Sequence, residues 1–256
     1  MTSGTLLRAA RPVALIVGAS SGIGEALARH LAKEGYAVAL VARRIEMLRK
    51  LAAEINQGHA DPIAFPFAHD TTHYTEIPAL FQQISQQAPG LELVVYAAGI
   101  MPTLAPDEFD FTKDQSIIEI NLLGAIAWLN EAAKRFSQTK RGTIVGIGSV
   151  AGDRGRRGNT VYAASKAALD TYLESLRNRL APHDVHVLTV KPGPVRTPMT
   201  AHLKNQPFII EPHQAAMRIA KAIHSRRNIV YVPGIWRPIM WIIRQIPSFL
   251  FRKMSF

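Results

Sequence analysis

Apolar runs of strand length alternate with helix-length segments along almost the whole chain, and this rhythm constrains the fold more than any other feature of the 256 residues. Val13-Ala14-Leu15-Ile16-Val17 is apolar throughout and stops at Gly18, after which Ser20 to Glu34 carries helical periodicity up to Gly35. Strand signals recur at Ala37 to Ala42, Pro62 to Ala68, Leu91 to Ala97, Thr143 to Gly148 and Val185 to Val190. Helix signals lie between them at Ile45 to Asn56, about Tyr74 to Gln87, about Phe111 to Gln138 and Tyr162 to Leu180, with a further pair of elements at Pro212 to Ser225 and Ile229 to Val232. A strand that lacks polar alternation needs cover on both faces. The pattern therefore predicts an α/β protein, one doubly wound parallel sheet of Rossmann type whose ligands meet the carboxyl ends of the strands. The length suits a single domain, and the 48% hydrophobic content is enough for a full core.

The polar motifs fall at those strand ends. Gly18-Ala19-Ser20-Ser21-Gly22-Ile23-Gly24 joins the first strand to the first helix, where glycines permit a tight turn and let a pyrophosphate approach the helix N-terminus. After the second strand, where a carboxylate would bind an adenosine ribose 2′-hydroxyl, stand Ala42-Arg43-Arg44. An acid there repels a 2′-phosphate, whereas Arg43 and Arg44 offer it charge-assisted contacts, so NADP(H) is expected rather than NAD. Asp70 lies beyond the third strand, Ala97-Ala98-Gly99 ends the fourth, and Pro192-Gly193-Pro194-Val195-Arg196-Thr197 ends the sixth. Asn121 sits among Ile117, Ile118, Ile120, Leu122 and Leu123, which predicts a specific buried partner for its amide. Ser149 ends the fifth strand.

Tyr162 and Lys166 share a helical face through their four-residue spacing. A free tyrosine titrates near pH ~10, and a neighbouring ammonium is expected to draw that value toward neutrality, where the phenol serves as general acid or base.

Over about residues 12 to 232 these residues closely resemble the short-chain dehydrogenase/reductase family in its classical form. The match comprises Gly18 to Gly24, the set Asn121, Ser149, Tyr162 and Lys166, and the Pro192-Gly193 turn, in the family's order and spacing. The resemblance implies that Tyr162 is the acid or base and that Lys166 lowers its pKa while binding the nicotinamide ribose. It also implies that Ser149 hydrogen-bonds the substrate oxygen, Asn121 holds a proton-relaying water, Asp70 meets the adenine, and Thr197 meets the nicotinamide amide or pyrophosphate. Ser20, Ser21, Ile23, Ala98, Gly99, Pro192, Gly193 and Val195 complete the expected cofactor wall, and no metal is expected. Three positions depart from the family pattern: Val17 for a threonine, Tyr96-Ala97-Ala98-Gly99 for Asn-Asn-Ala-Gly, and Gly148 where a second serine is common. They put in doubt the hydrogen bonds that brace the glycine loop and the fourth strand.

The reading is thus an NADP-dependent carbonyl reductase or alcohol dehydrogenase, with a non-catalytic NADP-binding regulatory or scaffold protein as the alternative from another class. The net charge of +11 is compatible with anionic ligands, and no nucleic-acid module is recognisable, so nucleic acid is not an expected partner. The absence of cysteine excludes disulfides and thiolate chemistry. Residues 1–11 read as an N-terminal arm without the long apolar core of a signal peptide, which makes the expected location cytoplasmic. Residues 12–234 form the expected catalytic domain and residues 235–256 an apolar, basic tail too interrupted to span a bilayer. Arg237 and Arg244 share a helical stripe in that tail. Two readings stay open, a helix lying in a membrane interface at the inner face of the membrane, or one packed on the protein. The tail, with Arg154, Arg156 and Arg157, is similar to bacterial family members of cell-envelope synthesis such as polyprenylphosphoryl keto-sugar reductases, which implies an anionic, lipid-linked carbonyl substrate. Met199, His202, Leu203 and Phe208 are expected to line a lid, and a homo-oligomer of two or four copies is expected.

Overall fold

The computed structural model describes residues 11–105, 107–158, 160–202 and 206–254. All but Arg11 of the expected N-terminal arm, and Leu203 of the expected lid, lie outside the described residues.

The strands are β1 (Val13–Val17), β2 (Ala37–Ala42), β3 (Ala64–Ala68), β4 (Leu91–Tyr96), β5 (Thr143–Ile147), β6 (His186–Pro192) and β7 (Ile229–Val232). They form one sheet in the order β3-β2-β1-β4-β5-β6-β7, every neighbouring pair parallel. The doubly wound α/β fold expected of the alternation is the one found. β1 and β2 are buried at every position, which is why their sequences carry no polar alternation. Pro66 stands in mid-strand in β3, where the ladder loses one donor; β3 is an edge strand, so the missing bond falls on the side without a neighbour.

The helices are α1 (Gly22–Lys33), α2 (Ile45–Asn56), α3 (Ile77–Gln87), α4 (Phe111–Ile118), α5 (Gly124–Thr139), α6 (Thr160–Leu180), α7 (Pro212–His224), α8 (Trp236–Gln245) and α9 (Ser248–Phe251). α1 packs with α2 and α7 on one face, and α3, α5 and α6 cover the other. Trp128 and Phe136, both on α5, are fully buried between helix and sheet. The single long helix expected at Phe111 to Gln138 is two α-helices joined by a π turn at Glu119–Leu123. The tail is not separate: Trp236 and Met240 of α8 are buried against Val150, with Tyr231, Ile239 and Ile243 around them. Among the described residues no helix is long and apolar enough to cross a membrane.

Candidate active site

The strand order reverses at β1, which has β2 on one side and β4 on the other, all three parallel, and the cleft opens at the carboxyl ends of the strands where the connections to the two sides part. Its volume is about 730 Å³, and it is lined at one end by Gly18, Ser20, Ser21, Gly22, Ile23, Arg43 and Arg44. Gly18 has φ +92°, and a β-carbon on it would lie 2.4 Å from the Ala98 amide nitrogen, so the loop lies directly against the end of β4. A β-carbon on Gly24 would lie 2.3 Å from the Gly18 carbonyl oxygen; this glycine lets the helix pack on the loop rather than lining the cleft. The Ser21 side chain makes no cap bond to α1. It accepts instead from the Arg44 guanidinium at 2.8 Å, and Ser20 accepts from the same group at 2.8 and 3.2 Å. This cradle of small residues, capped by two cations, has the shape and charge to take the pyrophosphate and adenosine end of a dinucleotide.

Asp70 differs from its expected place. Its carboxylate accepts from the Thr72 amide and hydroxyl and faces Arg43 at 3.5 Å, while its neighbours His69 and Thr71, not Asp70, line the cleft. Burial works against the charged form, yet the Thr72 bonds and Arg43 hold this carboxyl below its ordinary range.

At the other end stand Ser149, Tyr162 and Lys166, with Ala98, Gly99, Pro192, Gly193, Val195 and Thr197 between. Ser149 leaves β5 in an extended conformation, and its hydroxyl accepts from the Ala151 amide at 3.1 Å, opening the short helical turn Val150–Asp153. Tyr162 and Lys166 are buried on the first turns of α6. The Lys166 ammonium donates to the Ile147 carbonyl at 2.9 Å and lies 5.8 Å from the Tyr162 ring centre. This geometry corrects one expectation. Burial pushes the Tyr162 phenol above its ordinary pKa, and the groups that pull it back are the Ser149 hydroxyl and the Arg156 charge, not Lys166. Lys166 itself is drawn down to about 8 by burial, against the opposing charge of Asp170.

Asn121 has the specific partner its apolar surroundings implied. Fully buried on the π turn, it accepts from the Ile100 amide at 2.8 Å and donates to the Ile100 carbonyl at 3.0 Å and to Ser165 at 3.2 Å. Its amide thus clamps the chain after β4 to α6; Ile120, its neighbour, lines the cleft, and Asn121 does not. Tyr96, one of the departures from the family pattern, supplies a brace of its own by donating to the Ile120 carbonyl at 2.5 Å.

A buried charge cluster lies beneath Lys166 and was not foreseen. Lys191 on β6 bonds Asp153 at 2.5 Å, and Asp170 on α6 approaches the same ammonium at 3.0 Å without a directed hydrogen bond. Tyr231 on β7 donates to the second Asp153 oxygen at 2.8 Å. Burial pushes Asp170 up to about 6 against the pull of Lys191. The signal was present: Asp170 follows Lys166 by one helical turn, and the glycines at 148 and 152 leave it room, since β-carbons there would lie 2.4 and 3.1 Å from its carboxylate. The substrate side was partly missed as well. Met199 and His202 of the expected lid line the cleft, while Phe208 packs edge-on against Trp236, and Met101, Pro102 and Thr103 line the cleft as well.

The match to the family model described as short chain dehydrogenase spans residues 12–207. An uncharacterised oxidoreductase of Myxococcus xanthus (strain DK1622) is 36% identical over 211 residues, 82% of this chain and 83% of that one. Among solved structures, an actinorhodin polyketide ketoreductase variant with NADPH superposes with a TM-score of 0.75 at 27% identity, covering 83% of this chain and 90% of that one. A short-chain dehydrogenase from Sphingobium yanoikuyae in complex with NADPH shares the fold at a TM-score of 0.80 and 24% identity, over 93% and 97% of the two chains. With a family match across most of its length and a cleft that joins a dinucleotide cradle to a serine, a tyrosine and a lysine, this chain belongs to the short-chain dehydrogenase/reductase family of nicotinamide-dependent oxidoreductases.

Proposed function

We propose that the chain is an NADP(H)-dependent carbonyl reductase or alcohol dehydrogenase with Tyr162 as its general acid and base. The observation that carries this reading is that one cleft is lined by Arg43 and Arg44 at one end and by Ser149, Tyr162 and Lys166 at the other. The arginines select the 2′-phosphate, and the three polar residues meet the reacting oxygen. Bound NADPH would supply the hydride for the carbonyl carbon. The Ser149 hydroxyl donates to the carbonyl oxygen and polarises it, and the Tyr162 hydroxyl gives that oxygen its proton as the alcohol forms; oxidation runs the same transfers backward. A phenol whose pKa is raised by burial stays protonated at neutral pH, which suits it to the reductive direction. The Lys166 ammonium, held by the Ile147 carbonyl and 5.8 Å from the Tyr162 ring centre, lines the same cleft and would meet the nicotinamide ribose.

The substrate we propose carries an anionic group, as a lipid-linked phosphate does. Of the three arginines that suggested it, Arg154 and Arg157 are committed to backbone carbonyls of the tail. Arg156 is half-buried, acts on the charge of Tyr162, and forms no ion pair with a described residue.

The test is NADPH and NADH oxidation across a carbonyl panel. Tyr162→Phe should abolish turnover while NADPH still binds. Arg43→Ala with Arg44→Ala should raise KM for NADPH by roughly ten- to a hundredfold, the range of charge-assisted hydrogen bonds, and leave that for NADH nearly unchanged. Full turnover by the phenylalanine variant would overturn the assignment; equal loss with both nucleotides would overturn the cofactor preference.

A further inference from the structure

The tail divides into a docked face and an exposed one. On α8, Trp236 and Met240 are buried, whereas Trp241 and Ile242 are 66% and 57% exposed; on α9, Phe249 and Leu250 are 59% and 47% exposed. Trp241 stands between Arg237 and Arg244 on one helical stripe, and Arg252 and Lys253 follow α9. From Pro233 to Phe256 the sequence has four lysines and arginines and no acid. None of the four forms an ion pair with a described residue.

This face is held in place, not trailing. The Arg154 guanidinium donates to the Ile243 and Ile246 carbonyls, both at 2.6 Å, and stacks 4.0 Å from the centre of the Phe251 ring. Arg157 donates to the Arg252 carbonyl at 2.5 Å. The last carbonyls of α8, which a helix end leaves unpaired, are thus satisfied by the body of the protein, and the exposed side chains keep a defined outward direction.

We propose that this face seats the protein on an anionic lipid bilayer surface, with Trp241, Ile242, Phe249 and Leu250 entering the headgroup boundary and Arg237, Arg244, Arg252 and Lys253 facing lipid phosphates. Aromatic and aliphatic side chains beside cations, on a helix too short to span, match an interfacial helix. Charge decides against a second copy as the occupant. A two-fold contact sets the same patch against itself, so four cations would meet four cations with no carboxylate between them. An anionic bilayer supplies the complementary sign over the whole patch. The docked side of α8 places Trp236 beside Gly193 of the cleft wall, so the seated surface lies next to the active site. This inference does not depend on the substrate or cofactor proposed above.

The experiment is co-sedimentation of the full chain with phosphatidylcholine vesicles, with and without phosphatidylglycerol, read alongside quenching of tryptophan fluorescence by brominated lipid. Trp128 and Trp236 are buried, so quenching reports Trp241. Partitioning should require phosphatidylglycerol, weaken at least tenfold between low and high salt, and fall at least tenfold in Trp241→Ala with Ile242→Asp, a variant whose exposed positions leave thermal unfolding unchanged. Absence of binding to anionic vesicles would overturn the proposal. So would binding that the variant retains, or self-association in buffer that the variant removes without any vesicle binding by the parent.

Discussion

A β-carbon on Gly148 would stand 2.4 Å from the Asp170 carboxylate and 3.1 Å from the Val190 carbonyl, so the departure from serine at position 148 and the acid at position 170 belong together. Gly148→Ser should therefore be tolerated far better with Asp170→Ala than alone. Burial draws the Lys166 pKa down to about 8, and Asp170 opposes it by favouring the ammonium. Asp170→Asn removes the carboxylate that favours the ammonium, so the Lys166 pKa falls further. The alkaline limb of the pH–rate profile for kcat should move to lower pH by about one unit, the size of a close charge effect, with little change in the KM for NADPH. An unmoved limb would show that Asp170 only packs. At this scale the residue types of the site were legible, because a glycine loop, two arginines and a tyrosine–lysine pair are local patterns. The electrostatics were not. Spacing put Lys166 beside Tyr162, but which way the ammonium turns depends on the Ile147 carbonyl of another element.

The π turn at Glu119–Leu123 was illegible because its apolar pattern is that of an ordinary helix. Tyr96 braces it: its hydroxyl reaches from β4 to the Ile120 carbonyl and lies beside Gly124. A methyl group at Gly124 would lie 2.6 Å from the Tyr96 oxygen and 3.1 Å from the Thr71 carbonyl oxygen. Glycine to alanine inside a helix ordinarily stabilises by about 1 kcal/mol. Here the overlap reverses the sign: Gly124→Ala should destabilise by about 1–3 kcal/mol in urea unfolding, the usual cost of overpacking. Gly124→Ala with Tyr96→Phe should recover part of it. Element boundaries elsewhere were close to expectation, with α2 found where the periodicity placed it. β3 begins later than expected, since Ile63, although buried, precedes the paired residues.

At the scale of the molecule, each half of the chain contributes one end of the cleft, the glycine loop and arginines from the first and the serine, tyrosine and lysine from the second. A ligand that bridges them stabilises the whole. At a concentration of NADPH a hundred times its Kd, mass action adds about 2.7 kcal/mol, which for a chain of this size raises Tm by roughly 5–10 °C. NADH at the same concentration should raise it less if Arg43 and Arg44 select the phosphate. The sheet itself was legible as a class from the alternation, while its strand order was not, because periodicity says nothing about which strands are neighbours. That order has a consequence for synthesis. β1 emerges first and can pair with β2 soon after, but its other edge belongs to β4, which the ribosome delivers only after two further helices. Until then Val13–Val17, apolar at every position, stands as an open edge, so the nascent first half is a stage exposed to mispairing with other chains.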